Sequence, residues 1–111
     1  MNKIDPGQID ELLNNPIRLA LVTALSQVEY GDFLWLKEVT KTTDGNLATH
    51  LRKLEDAGYV LVEKTFKGRK PASFYRLSNI GLMQFKNYIR LLSDFIHALD
   101  KVDAAGPEGQ T

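Results

Sequence analysis

Apolar positions recur along most of the chain at the spacing of a helix, and in one stretch they switch to that of a strand. Ile9, Leu12 and Leu13 stand at i, i+3 and i+4, which predicts a short amphipathic helix between Asp5 and Leu13. Asn14-Asn15-Pro16 ends it and starts another. Asn15 can cap, and Pro16 falls at the first helical position, where a missing N–H costs nothing. Ile17, Leu21, Ala24, Leu25 and Val28 carry the apolar face of this second helix, which ends near Tyr30-Gly31. Asp32 to Leu36 reads as one brief strand leading into a third helix of about Leu36 to Lys41. Thr42-Thr43-Asp44 interrupts, with Thr43 as N-cap and Asp44 favourable in the first turn. A fourth helix, striped by Leu47, Leu51 and Leu54, runs to about Ala57, and Gly58 stands where a C-terminal glycine is expected.

After Gly58 the period becomes two. Tyr59 to Phe66 predicts a strand, Lys67 to Pro71 a turn, and Ala72 to Leu77 the return strand of a hairpin with a basic tip. Ser78 caps a last helix running to about Lys101. On it Leu82, Phe85, Ile89, Leu92, Ile96 and Leu99 recur at alternating intervals of three and four, with Tyr88, Phe95 and Val102 beside them. That much apolar surface can hold a partner helix as well as its own domain. Two helices joined by a tight turn make a helix-turn-helix, and a hairpin directly after them is its winged variant. The expected fold class is therefore α+β, mostly α. It comprises an arm over 1–15, a winged helix-turn-helix over 16–78, a dimerisation helix over 79–102 and a disordered tail over 103–111.

Composition narrows the function. The chain has 111 residues, 43% of them hydrophobic, enough for one core. It has no cysteine, which excludes a disulfide framework, a thiolate zinc site, an iron–sulfur cluster and a cysteine nucleophile. The start holds no apolar signal region, and the most apolar stretch, Ile17 to Leu25, is interrupted by Arg18, where a membrane span needs about 20 residues. A soluble, cytoplasmic protein without membrane association is expected. His50 and His97 lie on different helices with no second ligand at metal spacing, and Asp10-Glu11 and Glu55-Asp56 are adjacent pairs that diverge on a helix. No phosphate loop or nucleophile elbow occurs. The chain reads as non-enzymatic, with no metal and no cofactor. Its zero net charge hides an asymmetry: eight basic residues face four acidic ones from Lys41 to Leu77, giving +4 there against −3 before and −1 after.

The run from Asp44 to Val60 (DGNLATHLRKLEDAGYV), followed by a hairpin ending Phe74-Tyr75-Arg76-Leu77-Ser78, resembles the winged-helix transcriptional regulators of the MarR/ArsR type, over roughly Pro16 to Leu99. The resemblance implies a homodimer that binds double-stranded DNA. Its recognition helix would enter the major groove and its wing would touch backbone or minor groove. Repression is the commoner outcome among such proteins. Many of them sense a small molecule or a metal. The metal sensors commonly use cysteines, which this chain lacks, so that property is not carried over. Winged helices also serve as protein-interaction modules, which is the alternative reading.

On the fourth helix the leucine stripe turns Gly45, Thr49, Arg52, Lys53 and Asp56 outward and puts Asn46 and His50 on one flank. Asn46 can bond adenine bidentately, and Thr49 offers a hydroxyl and a methyl to thymine. Gly45 lets the helix end approach a phosphate. Arg52 and Lys53 suit phosphates or guanine, while Asp44 caps rather than reads. Thr43 and Lys64 complete this surface, and Lys67-Gly68-Arg69-Lys70 forms a cationic tip that can track phosphates, with Arg69 able to enter a minor groove. A merely solvated helix face and a charged, soluble hairpin tip are the competing readings. Phe33, Trp35, Phe85, Tyr88 and Phe95 could line an effector pocket or simply fill the core and dimer interface.

Overall fold

Asn15 opens α1 (Pro16–Leu25) as its cap, its side-chain oxygen accepting from the N–H groups of Ile17 and Arg18, both at 3.0 Å. This computed structural model describes residues 5–105, with side chains through Val102. Before Asn15 the expected helix is absent. Pro6–Gln8 forms one 3-10 turn, and Asp10 accepts from the N–H groups of Leu12 and Leu13 at 2.9 and 3.3 Å. A segment this short nucleates a helix poorly, and the Asp10 side chain offers its backbone an alternative partner. Ile9, Leu12 and Leu13 nonetheless pack on the core, as their spacing implied.

The predicted brief strand also shrinks. β1 is Gly31–Asp32 alone, because Asp32 caps α2 (Phe33–Thr40) by accepting from the Trp35 N–H at 2.8 Å. Glycine is required at 31, where a Cβ would lie 2.6 Å from the Trp35 ring. Lys41 takes a left-handed conformation (φ 51°) that ends α2. Thr43 caps α3 (Asp44–Asp56), its Oγ1 accepting from the Asn46 N–H at 3.2 Å, so α2 and α3 are joined by Lys41, Thr42 and Thr43.

β2 (Val60–Lys67) and β3 (Lys70–Leu77) pair antiparallel from Val60 opposite Leu77 to Lys67 opposite Lys70, and β1 joins the free edge of β3 at Gly31–Tyr75 and Asp32–Phe74. The hairpin turn is thus only Gly68-Arg69, tighter than the Lys67-to-Pro71 turn expected. Of these two residues only Gly68 has a positive φ (68°), the pattern of a type II′ turn whose twist suits the strands. Pro71 stands inside β3. In a two-residue hairpin Lys67 and Lys70 form a hydrogen-bonded pair and Phe66–Pro71 the next, non-bonded one, so the proline's missing N–H costs no ladder bond.

The core is built from Leu21, Val22 and Leu25 of α1, Leu36 of α2, Leu47, Leu51 and Leu54 of α3, and Val60 of β2. Tyr59, Tyr75 and Tyr88 close it. Ser78 starts α4 (Asn79–Ala105): its Oγ accepts from the Gly81 N–H at 2.9 Å and donates to the Gly58 carbonyl at 2.5 Å. α4 reaches Ala105, so 103–105, expected in a disordered tail, are helical. Residues 1–4 and 106–111 lie outside those described.

The apolar seam expected on α4 divides. Tyr88 is buried in its own chain's core, with its hydroxyl donating to Asn14 Oδ1 at 3.1 Å, and Phe85 and Leu92 pack beside it. Leu91, which lies off the seam, is buried too. Leu82, Ile89, Ile96 and Leu99 remain exposed, as does Val102, while Phe95 is half-buried. The helix must first cover its own domain, and that domain takes the Tyr88 side. Among the described residues no helix is long and apolar enough to cross a membrane.

Candidate nucleic-acid interface

With Leu47, Leu51 and Leu54 turned inward, α3 leaves Gly45, Asn46, Thr49, Arg52 and Lys53 exposed on its far side. Thr43 is exposed as well, though its hydroxyl already serves as the cap. Asp44 pairs with Lys37 of α2 at 2.8 Å. A cation in the last turn of one helix and a carboxylate in the first turn of the next each suit their own helix dipole, and the short turn brings them together. The pair joins the two helices and offsets a carboxylate that would otherwise repel phosphate.

His50 is less free than its flank position implied. Arg18 Nη1 donates to His50 Nδ1 at 3.0 Å, while Arg18 Nε donates to the Leu12 carbonyl at 2.5 Å. One guanidinium thereby ties the N-terminal arm and α3 to α1. Partial burial, and then the charges of Arg18 and Lys53, hold the His50 pKa below its ordinary value. Its ring is neutral near pH 7.

On the wing, strand alternation puts Lys64 on the same face as Val60 and Val62, the side that packs toward α3. Lys67 and Lys70 stand directly opposite each other on the other face, with Gly68 and Arg69 at the turn between them, all exposed. Like charges facing across a ladder are destabilising. Among the described residues the one ion pair is Lys37–Asp44, so Arg52, Lys53, Lys64, Lys67, Arg69 and Lys70 have no acidic partner there. The arrangement presents a polar helix face and a cationic hairpin that a polyanion would neutralise.

Three residues at or near this surface went unmarked at the level of sequence. Arg18 gave no signal beyond interrupting an apolar run. Lys37 could have been found from the dipole rule applied to both helix ends at the turn. Phe66 could have been found by counting alternate positions from Val60 past the end of the core. Of the aromatic residues that could line an effector pocket or fill the core and dimer interface, Tyr88 belongs to the core and Phe33, Trp35 and Phe85 pack against it. No group of three or more His, Cys, Asp or Glu residues able to hold a metal occurs among the described residues.

The pattern of the winged helix DNA-binding domain family matches residues 17–96. An uncharacterized protein of Methanocaldococcus jannaschii is 37% identical over 79 residues, which cover 71% of this chain and 86% of that one. The structure of a transcriptional regulator homologue protein from Pyrococcus horikoshii OT3 superposes with a TM-score of 0.76 at 30% identity, covering 82% of this chain and 90% of that chain. Bacillus subtilis PadR in complex with operator DNA shares the fold, with a TM-score of 0.62 at 17% identity over 68% of this chain and 48% of that one. With a helix-turn-helix, a hairpin wing and a matching pattern over most of its length, the chain belongs to the winged helix DNA-binding domain family.

Proposed function

We propose that this protein is a sequence-specific transcriptional regulator that binds double-stranded DNA as a homodimer, with α3 in the major groove and the wing on backbone or minor groove. The observation that carries this reading is the group of cations on the wing and on the outward face of α3 that have no acidic partner among the described residues. Asn46 and Thr49, exposed among them, supply hydrogen-bonding groups of the kind that read base edges. The relative from Pyrococcus horikoshii is described as a transcriptional regulator homologue, and PadR was captured on its operator. The dimer would form through the exposed apolar line of α4. Two recognition helices would then sit about 34–36 Å apart in successive major grooves. An operator covered in this way is closed to polymerase, so the reading includes repression.

The test is salt-titrated binding to duplexes that the protein recovers from sheared genomic DNA. Affinity should fall steeply as salt rises, and Lys67→Ala, Arg69→Ala and Lys70→Ala should each flatten the log–log slope by about one unit. Binding that ignores salt, or no binding to any duplex, would overturn the reading in favour of a protein-interaction module.

A further inference from the structure

We propose that Phe66 is a further DNA-contacting residue, an apolar wedge that the wing presses into the minor groove. This rests on the DNA-binding reading above. Phe66 is 70% exposed, the highest value among the exposed large hydrophobic residues of the described chain. An aromatic ring left this open to water needs a reason beyond its own fold, because burying it would be favourable. Strand alternation places it on the face of Lys64, Val62 and Val60, the side of the wing that packs toward α3. Val60 and Val62 meet the core. The strand then outruns the domain, and Lys64 and Phe66 extend beyond it.

Its neighbours say what it meets. Pro71, also exposed, lies directly opposite Phe66, as a non-hydrogen-bonded pair in which facing side chains stand closest. The two form one apolar spot, a single residue pair behind the Lys67–Lys70 pair and flanked by Lys64. Lys64 shares the face of the spot, Arg69 stands at the turn beyond it, and Lys67 and Lys70 project from the opposite face of the same hairpin, so the wing tip is cationic on both sides. Among the described residues no carboxylate pairs with any of them. A second copy of the same wing would be repelled, whereas a duplex supplies phosphates for the lysines and a groove for the ring. The minor groove is about 6 Å wide, enough for one aromatic ring, and apolar side chains that enter it partly unstack a base step and bend the duplex. Pyrimidine–purine steps unstack most easily. The wedge therefore adds a specificity determinant that reads deformability where the wing lands, independently of the base edges read by α3.

The experiment compares wild type, Phe66→Ala and Phe66→Leu on a duplex recovered by the wild-type protein, with fluorophores at the duplex ends to report bending. Phe66→Ala should bind about tenfold more weakly. It should do so at every salt concentration with the slope unchanged, because no charge is removed. It should also lose the bend. Phe66→Leu should keep most of both effects, since leucine retains apolar volume. Thermal melts of all three should coincide, because position 66 contributes little to the core. A Phe66→Ala protein that binds and bends the duplex as wild type does would overturn the wedge while leaving the DNA-binding reading intact. So would one whose only change is in oligomeric mass, which would place a second copy on that spot. Wild-type protein that recovers no duplex would remove both.

Discussion

Because Arg18 Nη1 donates to His50 Nδ1 at 3.0 Å, the neutral imidazole carries its proton on Nε2 and can offer that nitrogen only as a donor. Protonation would put an N–H where the guanidinium already points one, so the pair resists acid. Burial contributes most to the lowered pKa, and Arg18 comes next. Arg18→Met should therefore raise the His50 pKa part of the way back toward about 6.5, as read by an NMR titration of the ring. An unmoved value would remove Arg18 as a cause. The lowered pKa also sets a pH dependence of folding. Between the folded pKa and about 6.5 the unfolded chain binds more protons than the native one, so stability rises with pH across that window. Denaturant unfolding should show wild type weakening as pH falls below about 6.5, with this component missing in His50→Gln.

Two elements are held in register by one hydroxyl. Ser78 caps α4 and at the same time donates to the carbonyl of Gly58, just beyond the end of α3. Gly58 itself has a positive φ (78°), which glycine adopts without a Cβ penalty. Ser78→Ala removes a cap and leaves a carbonyl without its partner. The expected cost is about 1–2 kcal/mol, or a melting temperature lower by roughly 4–8 °C for each kcal/mol in a domain of this size. Gly81→Ala should cost more. A Cβ there would collide with the Tyr59 carbonyl oxygen, a backbone atom that cannot swing aside as a side chain does. Calorimetry of the two variants checks both the size and the order. The same junction sets the phase of α4 where it starts, with Tyr88 inward and Ile89 outward.

At the scale of the whole molecule, α4 is longer than the domain it covers. Its 27 residues span about 40 Å. Leu82, Ile89 and Ile96, seven apart, form an exposed line. Near the end Leu99 (59% exposed) and Val102 (53%) lie at core-facing phases where the domain no longer reaches. Apolar surface of this extent marks an interaction site, and the proposed homodimer is its use here. Ile89→Asp and Ile96→Asp should give folded monomers in analytical ultracentrifugation, because both positions are exposed in the single chain. Leu92→Asp should instead unfold the protein, since Leu92 packs against the core. Unchanged mass in the first two variants would refute this use of the line.

Much of this molecule is local in origin, and its local part was legible beforehand. Asn15, Thr43 and Ser78 cap the helices they were expected to cap, Gly58 ends α3, and Leu47, Leu51 and Leu54 form its buried stripe. Capping and helical periodicity depend only on residues a few positions apart, so the order of elements and the basic hairpin follow from the sequence by itself. What tertiary structure decided involves distance along the chain. The Arg18–His50 bond joins residues 32 positions apart, and the Tyr88–Asn14 bond joins residues 74 apart. No period encodes such a meeting. Heptad spacing marked α4 as apolar on two flanks but could not say which flank its own domain would claim. Alternation gave Phe66 its face, yet only the packed core shows where burial stops and the wing stands alone.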